Sequence, residues 1–119
     1  MSDLRPVGVP VIIEGVERHM LFTLNVIDEV QEHYNKSLAE IINELMEKAS
    51  AVKIMRYLTY ALLEDEVQRK AASGESLKHY SEMEIGWLIT RENQEEVLLA
   101  ILKAYGLALP ENDEDSSPN

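Results

Sequence analysis

The chain has 119 residues, 45% of them hydrophobic, no cysteine, and a formal net charge of -11. That length holds one domain with a modest core, the lack of cysteine excludes disulfides and thiolate metal sites and suits a reducing compartment, and the charge opposes binding to phosphate backbones or anionic membranes. No run reaches the ~18 apolar residues that span a bilayer, and MSDLRPVGVP at the start lacks the basic and apolar regions of a secretory signal, so a cytoplasmic protein with protein partners is expected, with no nucleic acid or membrane among them.

Residues 1–10 carry Pro6, Gly8 and Pro10 and are expected to be irregular. VIIEGVERHMLF (11–22) reads as a β-hairpin: β-branched Val11, Ile12 and Ile13, a two-residue Glu14-Gly15 turn in which glycine supplies the positive φ, and a return strand over 16–22. A lone hairpin is marginal in water and must pack on helices or another chain. Asn25 is a fitting cap for a first helix, with Asp28 and Glu29 in its first turn and Val26, Ile27, Val30 and Tyr34 on one face. Asn35-Lys36 interrupts the pattern. Ser37-Leu38-Ala39-Glu40 is a capping box that opens a second helix, whose Leu38, Ile41, Ile42, Leu45 and Met46 keep one apolar stripe.

Ser50 is placed to cap a third helix running to about Ala72, with Gly74 as its stop. Its middle, IMRYLTYALL, puts apolar side chains around nearly the whole circumference. Such a helix is either buried on all sides, or has one side in the core and the other against a second protein. On the second reading the contact residues are Met55, Tyr57, Tyr60 and Leu63, with Met46, Met55 and Met83 lending an adaptable surface. The segment 97–102 is also almost wholly apolar. A domain of ~100 residues buries only about two-thirds of its unfolded surface, so enclosing two such helices is difficult, and a patch left outside would mark a homo-oligomer or a client-binding surface. Ser81 to Glu84 and Asn93 to Glu96 read as two more capping boxes, opening a short helix through Ile89 and a final helix closed by Gly106. The expected fold is mainly α: an N-terminal β-hairpin (11–22) followed by a small bundle of about five helices (25–106), in one globular domain over 1–109, with PENDEDSSPN (110–119) a disordered acidic tail.

Motifs with catalytic chemistry are missing. Of His19, His33 and His79, only His33 has a nearby carboxylate pattern (Glu29 at i-4, Glu32 adjacent), and that is better explained as a solvated helix face than as a metal site, which needs three or four converging ligands. There is no glycine-rich phosphate loop, nucleophile elbow or H-E-x-x-H. The expectation is a non-enzyme with no cofactor or metal. Residues 80–105 could form a helix-turn-helix, but the end that would enter the groove carries Glu92, Glu95 and Glu96 against Arg91, so a helical corner of the core is the better reading. Trp87 reads as a core or edge anchor.

The order of the pieces carries further information. A short hairpin leads into LFTLNVIDEVQEHYNKSLAEI, then IMRYLTYALLEDE, then YSEMEIGWLITRENQEEVLLAILKAYGLALP. Over about residues 10–110 this resembles the tail assembly chaperones of long-tailed bacteriophages, prophages and gene-transfer agents. An E-x-G-x-L-I … N-x-x-E-V-x-x-A-I ending is carried here by Glu84, Gly86, Leu88, Ile89, Asn93, Glu96, Val97, Ala100 and Ile101. The resemblance implies a non-enzymatic protein of the bacterial host cytoplasm that binds the tape-measure protein, helps deliver tail tube protein around it, and is absent from the mature virion. A frameshifted longer product exists in many members; this chain carries a short acidic ending in place of that second domain. The alternative is a small acidic adaptor or inhibitor that docks on one folded host protein.

Overall fold

The computed structural model describes residues 7–47 and 51–109. An antiparallel hairpin, β1 (Val9–Ile13) and β2 (Val16–Met20), precedes five helices: α1 (Leu24–Tyr34), α2 (Leu38–Leu45), α3 (Ala51–Ala72), α4 (Glu82–Leu88) and α5 (Gln94–Ala108). The mainly α architecture expected from the sequence is thus found. The hairpin begins two residues earlier than expected and its return strand ends at Met20, not Phe22. Both turn residues have positive φ, Glu14 at 56° and Gly15 at 77°, as a type I′ turn requires. Glycine takes that region freely, whereas a residue with a Cβ is disfavoured there by roughly 1–2 kcal/mol. Glu14 is held by its carboxylate, which accepts hydrogen bonds from Tyr80 Oη at 2.7 Å and Lys78 Nζ at 3.1 Å.

The helix boundaries follow side-chain chemistry. Ser37 and Ser81 cap α2 and α4 with complete capping boxes: each hydroxyl accepts from the backbone N–H of Glu40 or Glu84, whose carboxylate accepts in return from the serine N–H. Asn25 does not cap α1. Thr23 does, its Oγ1 accepting from Val26 N at 3.2 Å, and since Ile27 N already bonds to Thr23 O, residue 25 is inside the helix, and no acid lies in the first turn. Asn93 precedes α5 but makes no side-chain cap bond; its amide is turned back to the α4–α5 connection, accepting from Thr90 N at 2.7 Å and donating to Leu88 O at 2.9 Å. The third capping box is therefore not formed. Gly74, at φ 84°, ends α3 as expected, with Glu75 N bonding back to Lys70 O at 2.8 Å, whereas Gly106 continues α5 for another two residues. The expected Ser50 cap and the acidic tail over 110–119 lie outside the described residues.

Helix α3 is the centre: β2, α1, α2, α4 and α5 all pack on it, and β1 packs on α5. Its buried residues run around the helix, from Ile54, Met55, Tyr57 and Leu58 through Ala61, Leu62 and Leu63 to Val67. All but Val67 join one core with Val9, Val11, Ile13 and Met20 of the hairpin, Val26 and Val30 of α1, the α2 stripe, Ile85, and the α5 face of Val97, Ala100, Ile101 and Ala104. Each fully buried Leu or Ile contributes about 1.5–3 kcal/mol.

One inward position of the hairpin holds a charge. Strand alternation aims Arg18 at the core opposite Val11, where it is 2% exposed. Its Nε donates to Glu66 Oε1 at 2.7 Å and its Nη2 to the Leu63 carbonyl at 3.1 Å. Glu66, also buried, accepts in addition from His19 N at 3.1 Å, and its Oε2 lies 3.0 Å from His19 Nδ1. Burial alone would raise the Glu66 carboxyl, but the bonds from Arg18 and His19 outweigh that and hold it below its ordinary 4.5.

Removing one member of a buried pair strands the other. Glu66→Gln is expected to cost roughly 3–5 kcal/mol in urea unfolding, a large part of the ~5–15 kcal/mol such a domain possesses, and Arg18→Met/Glu66→Leu should recover most of it. Because the folded carboxyl titrates below its unfolded value, its stabilisation is complete above about pH 4.5 and fades as the pH falls through the lower, folded value. The stability gap between the native protein and Glu66→Gln should therefore narrow in unfolding curves taken below pH 4.5.

Candidate protein-binding surface

The four residues expected to meet a partner are not presented to one. Met55, Tyr57 and Leu63 are buried, and Tyr60 is half-buried against the core. Of the two readings of this helix, burial describes most of its apolar residues, because five elements surround α3; Val52, at 74% exposed, and half-buried Tyr60 keep an outward side. Tyr57 lies in an aromatic cluster: His33 stacks on its ring with centroids 3.8 Å apart, Tyr34 meets it edge-on at 5.5 Å, and Tyr60 lies at 6.0 Å. Burial pushes the Tyr57 and Tyr34 hydroxyls up to about 12. His33 thus serves as a lid on Tyr57. Among the described residues no three His, Asp or Glu side chains converge as metal ligands, and no helix is long and apolar enough to cross a membrane.

Most of the surplus apolar surface is on other elements. Helix α5 buries Val97, Ala100, Ile101 and Ala104, but a second apolar face lies beside that one. Leu98, Leu99, Leu102 and Tyr105 follow helical spacing; Leu98, Leu102 and Tyr105 are only partly covered, and Leu99 is 57% exposed. Leu107 adds a further exposed side chain, and Lys103 is the one charge between 97 and 109. Two smaller groups accompany this face: Ile12 and Val16 on the hairpin, and Met83 and Trp87 one turn apart on α4. The sequence signal for α5 was its apolar run. The run in α3, which the fold uses as its centre, is the more conspicuous of the two.

The exterior of the protein is acidic. Glu29 and Glu32 on α1, Glu40 on α2, and Glu95 and Glu96 at the start of α5 are exposed. The bonds from Ser37 lower the Glu40 carboxyl from its ordinary value. The site offers apolar helix surface set in a negative exterior, which can cover an apolar stripe of another polypeptide. No family model, curated protein or solved structure matches the chain.

The two sets of residues should separate in mutagenesis. Met55→Ala and Tyr57→Ala are expected to lower stability by about 2–5 kcal/mol. Leu99→Ser and Leu107→Ser should stay within ~0.5 kcal/mol of the native protein, as read by urea midpoint, while reducing its binding of the apolar dye ANS.

Proposed function

We propose that the protein is a tail assembly chaperone of a long-tailed bacteriophage or prophage, which keeps the tape-measure protein soluble in the host cytoplasm and helps tail tube subunits assemble around it. The observation that carries this reading is the second apolar face of α5, only partly covered beside a core centred on α3, on a chain of net charge -11. The order of hairpin and helices, which resembles that family, supports it. In this mechanism the α5 face lies along an apolar stripe of the long helical client. The negative exterior keeps the complex dispersed by repulsion between neighbours. Affinity per copy is modest, so that polymerising tube protein displaces the chaperone, and many copies on one long client hold it collectively. It is a non-enzymatic role, without cofactor or metal, and ends before the virion is complete.

Co-expression with the tape-measure protein of the same genome tests this. The client should move to the soluble fraction and co-purify with several copies of the chaperone, and Leu99→Ser/Leu102→Ser should return it to the pellet. A client that stays equally insoluble, with nothing co-purifying, would count against the reading. Tight one-to-one binding to a single folded host protein would instead favour the acidic adaptor.

A further inference from the structure

The described residues include a shallow pocket of about 90 Å³ between the hairpin turn and α4, lined by Glu14, Lys78, Tyr80, Glu84, Trp87 and Leu88. It is too small for a cofactor, whose sites run to ~300–1,000 Å³, but it has room for one side-chain head group. One wall shows what such a lining accepts. The Lys78 ammonium lies 5.2 Å from the centroid of the Tyr80 ring and 3.1 Å from Glu14 Oε1, so an aromatic face and a carboxylate already hold a cation there.

The other wall repeats the same two groups without a cation. Trp87, the only tryptophan in the chain, is 70% exposed. Glu84 stands three residues before it on the same helix face. The hydrogen bond that Glu84 accepts, from Ser81 N at 2.7 Å, lands on Oε1, which leaves Oε2 for an outside donor. Arg56, a cation of neighbouring α3, is already paired with Glu82 at 3.4 Å. The lining holds two carboxylates against one ammonium, in a chain whose net charge is -11. Exposed Met83, one turn before Trp87, extends the apolar side.

We propose that Trp87 and Glu84 receive a lysine or arginine side chain of a partner polypeptide, the cation lying over the indole and bonded to Glu84 Oε2, with Met83 covering the apolar residue beside it. This rests on the reading of the protein as one that holds another polypeptide, and it names the chemistry of one contact: the client segment seated here is amphipathic and basic.

The test uses the full chain and a short amphipathic peptide of leucine and lysine, with matched peptides carrying glutamine or glutamate in place of lysine. Trp87 alone supplies the indole fluorescence. The lysine peptide should shift that emission to the blue, the glutamine peptide should bind at least fivefold more weakly, and the glutamate peptide should leave the emission unchanged. By calorimetry, Trp87→Leu should weaken the lysine peptide about tenfold, the scale of a partly desolvated cation–π contact. Glu84→Gln should weaken it several-fold, while glutamine at that position still completes the capping box, so the fold, checked by circular dichroism, is kept. Equal shifts with the lysine and glutamate peptides, or native affinity in both variants, would overturn the site. Since no tape-measure protein is present, a negative result here leaves the solubilisation experiment to decide the chaperone reading by itself, and the converse also holds.

Discussion

One buried charge pair joins the hairpin to the central helix α3. Two strands alone are marginal in water, and the apolar contacts of Val9, Val11, Ile13 and Met20 are supplemented by Arg18 reaching into the core to Glu66. The pair is enclosed and well provided: guanidinium nitrogens also donate to the carbonyls of Leu63 and Lys78, and the carboxylate also accepts from His19. Such a pair adds little net energy over an apolar substitute. What it does is fix register, because shifting β2 by one residue would turn Arg18 to solvent and leave Glu66 alone in the core. The hairpin turn, the 78–80 segment and α4 are positioned in consequence, since Glu14 holds Lys78 and Tyr80 from the end of that hairpin.

The second constraint is the ratio of apolar helix to available cover. Five elements are spent on closing α3, and little remains to cover the far side of α5. A chain of this size cannot enclose both, so its most apolar helix is its centre and its last helix carries the remainder outward. This is why burial, not hydrophobicity, separates structural residues such as Leu58 and Leu62 from the exposed Leu99 and Leu107.

Local signals in the sequence were legible where one side chain determined one backbone contact. Ser37 with Glu40, Ser81 with Glu84, and Gly74 each did what spacing implied. Asn25 and Asn93 misled because a competing partner lay nearby: the Thr23 hydroxyl took the cap of α1, and the Asn93 amide was drawn back to Thr90 and Leu88. The Arg18–Glu66 pair joins residues 48 apart, beyond any local pattern. Its one trace was a charge at an inward strand position and an acid in register with the apolar residues of α3. The burial of Met55, Tyr57 and Leu63 on α3 was hidden for a similar reason, since a nearly fully apolar circumference does not reveal how many neighbours will cover it.

The order of synthesis gives the hairpin a particular exposure. Everything that secures it is made after it: Glu66 from α3, Lys78 and Tyr80 beyond it, and then α5, on which β1 packs. At ~5–20 residues per second, roughly 3–12 s separate translation of Met20 from that of Tyr80. During that interval residues 9–20 lack their native cover, and a charged arginine stays hydrated among apolar neighbours. That charge opposes premature collapse and pairing with other chains, and it is desolvated when Glu66 becomes available to meet it.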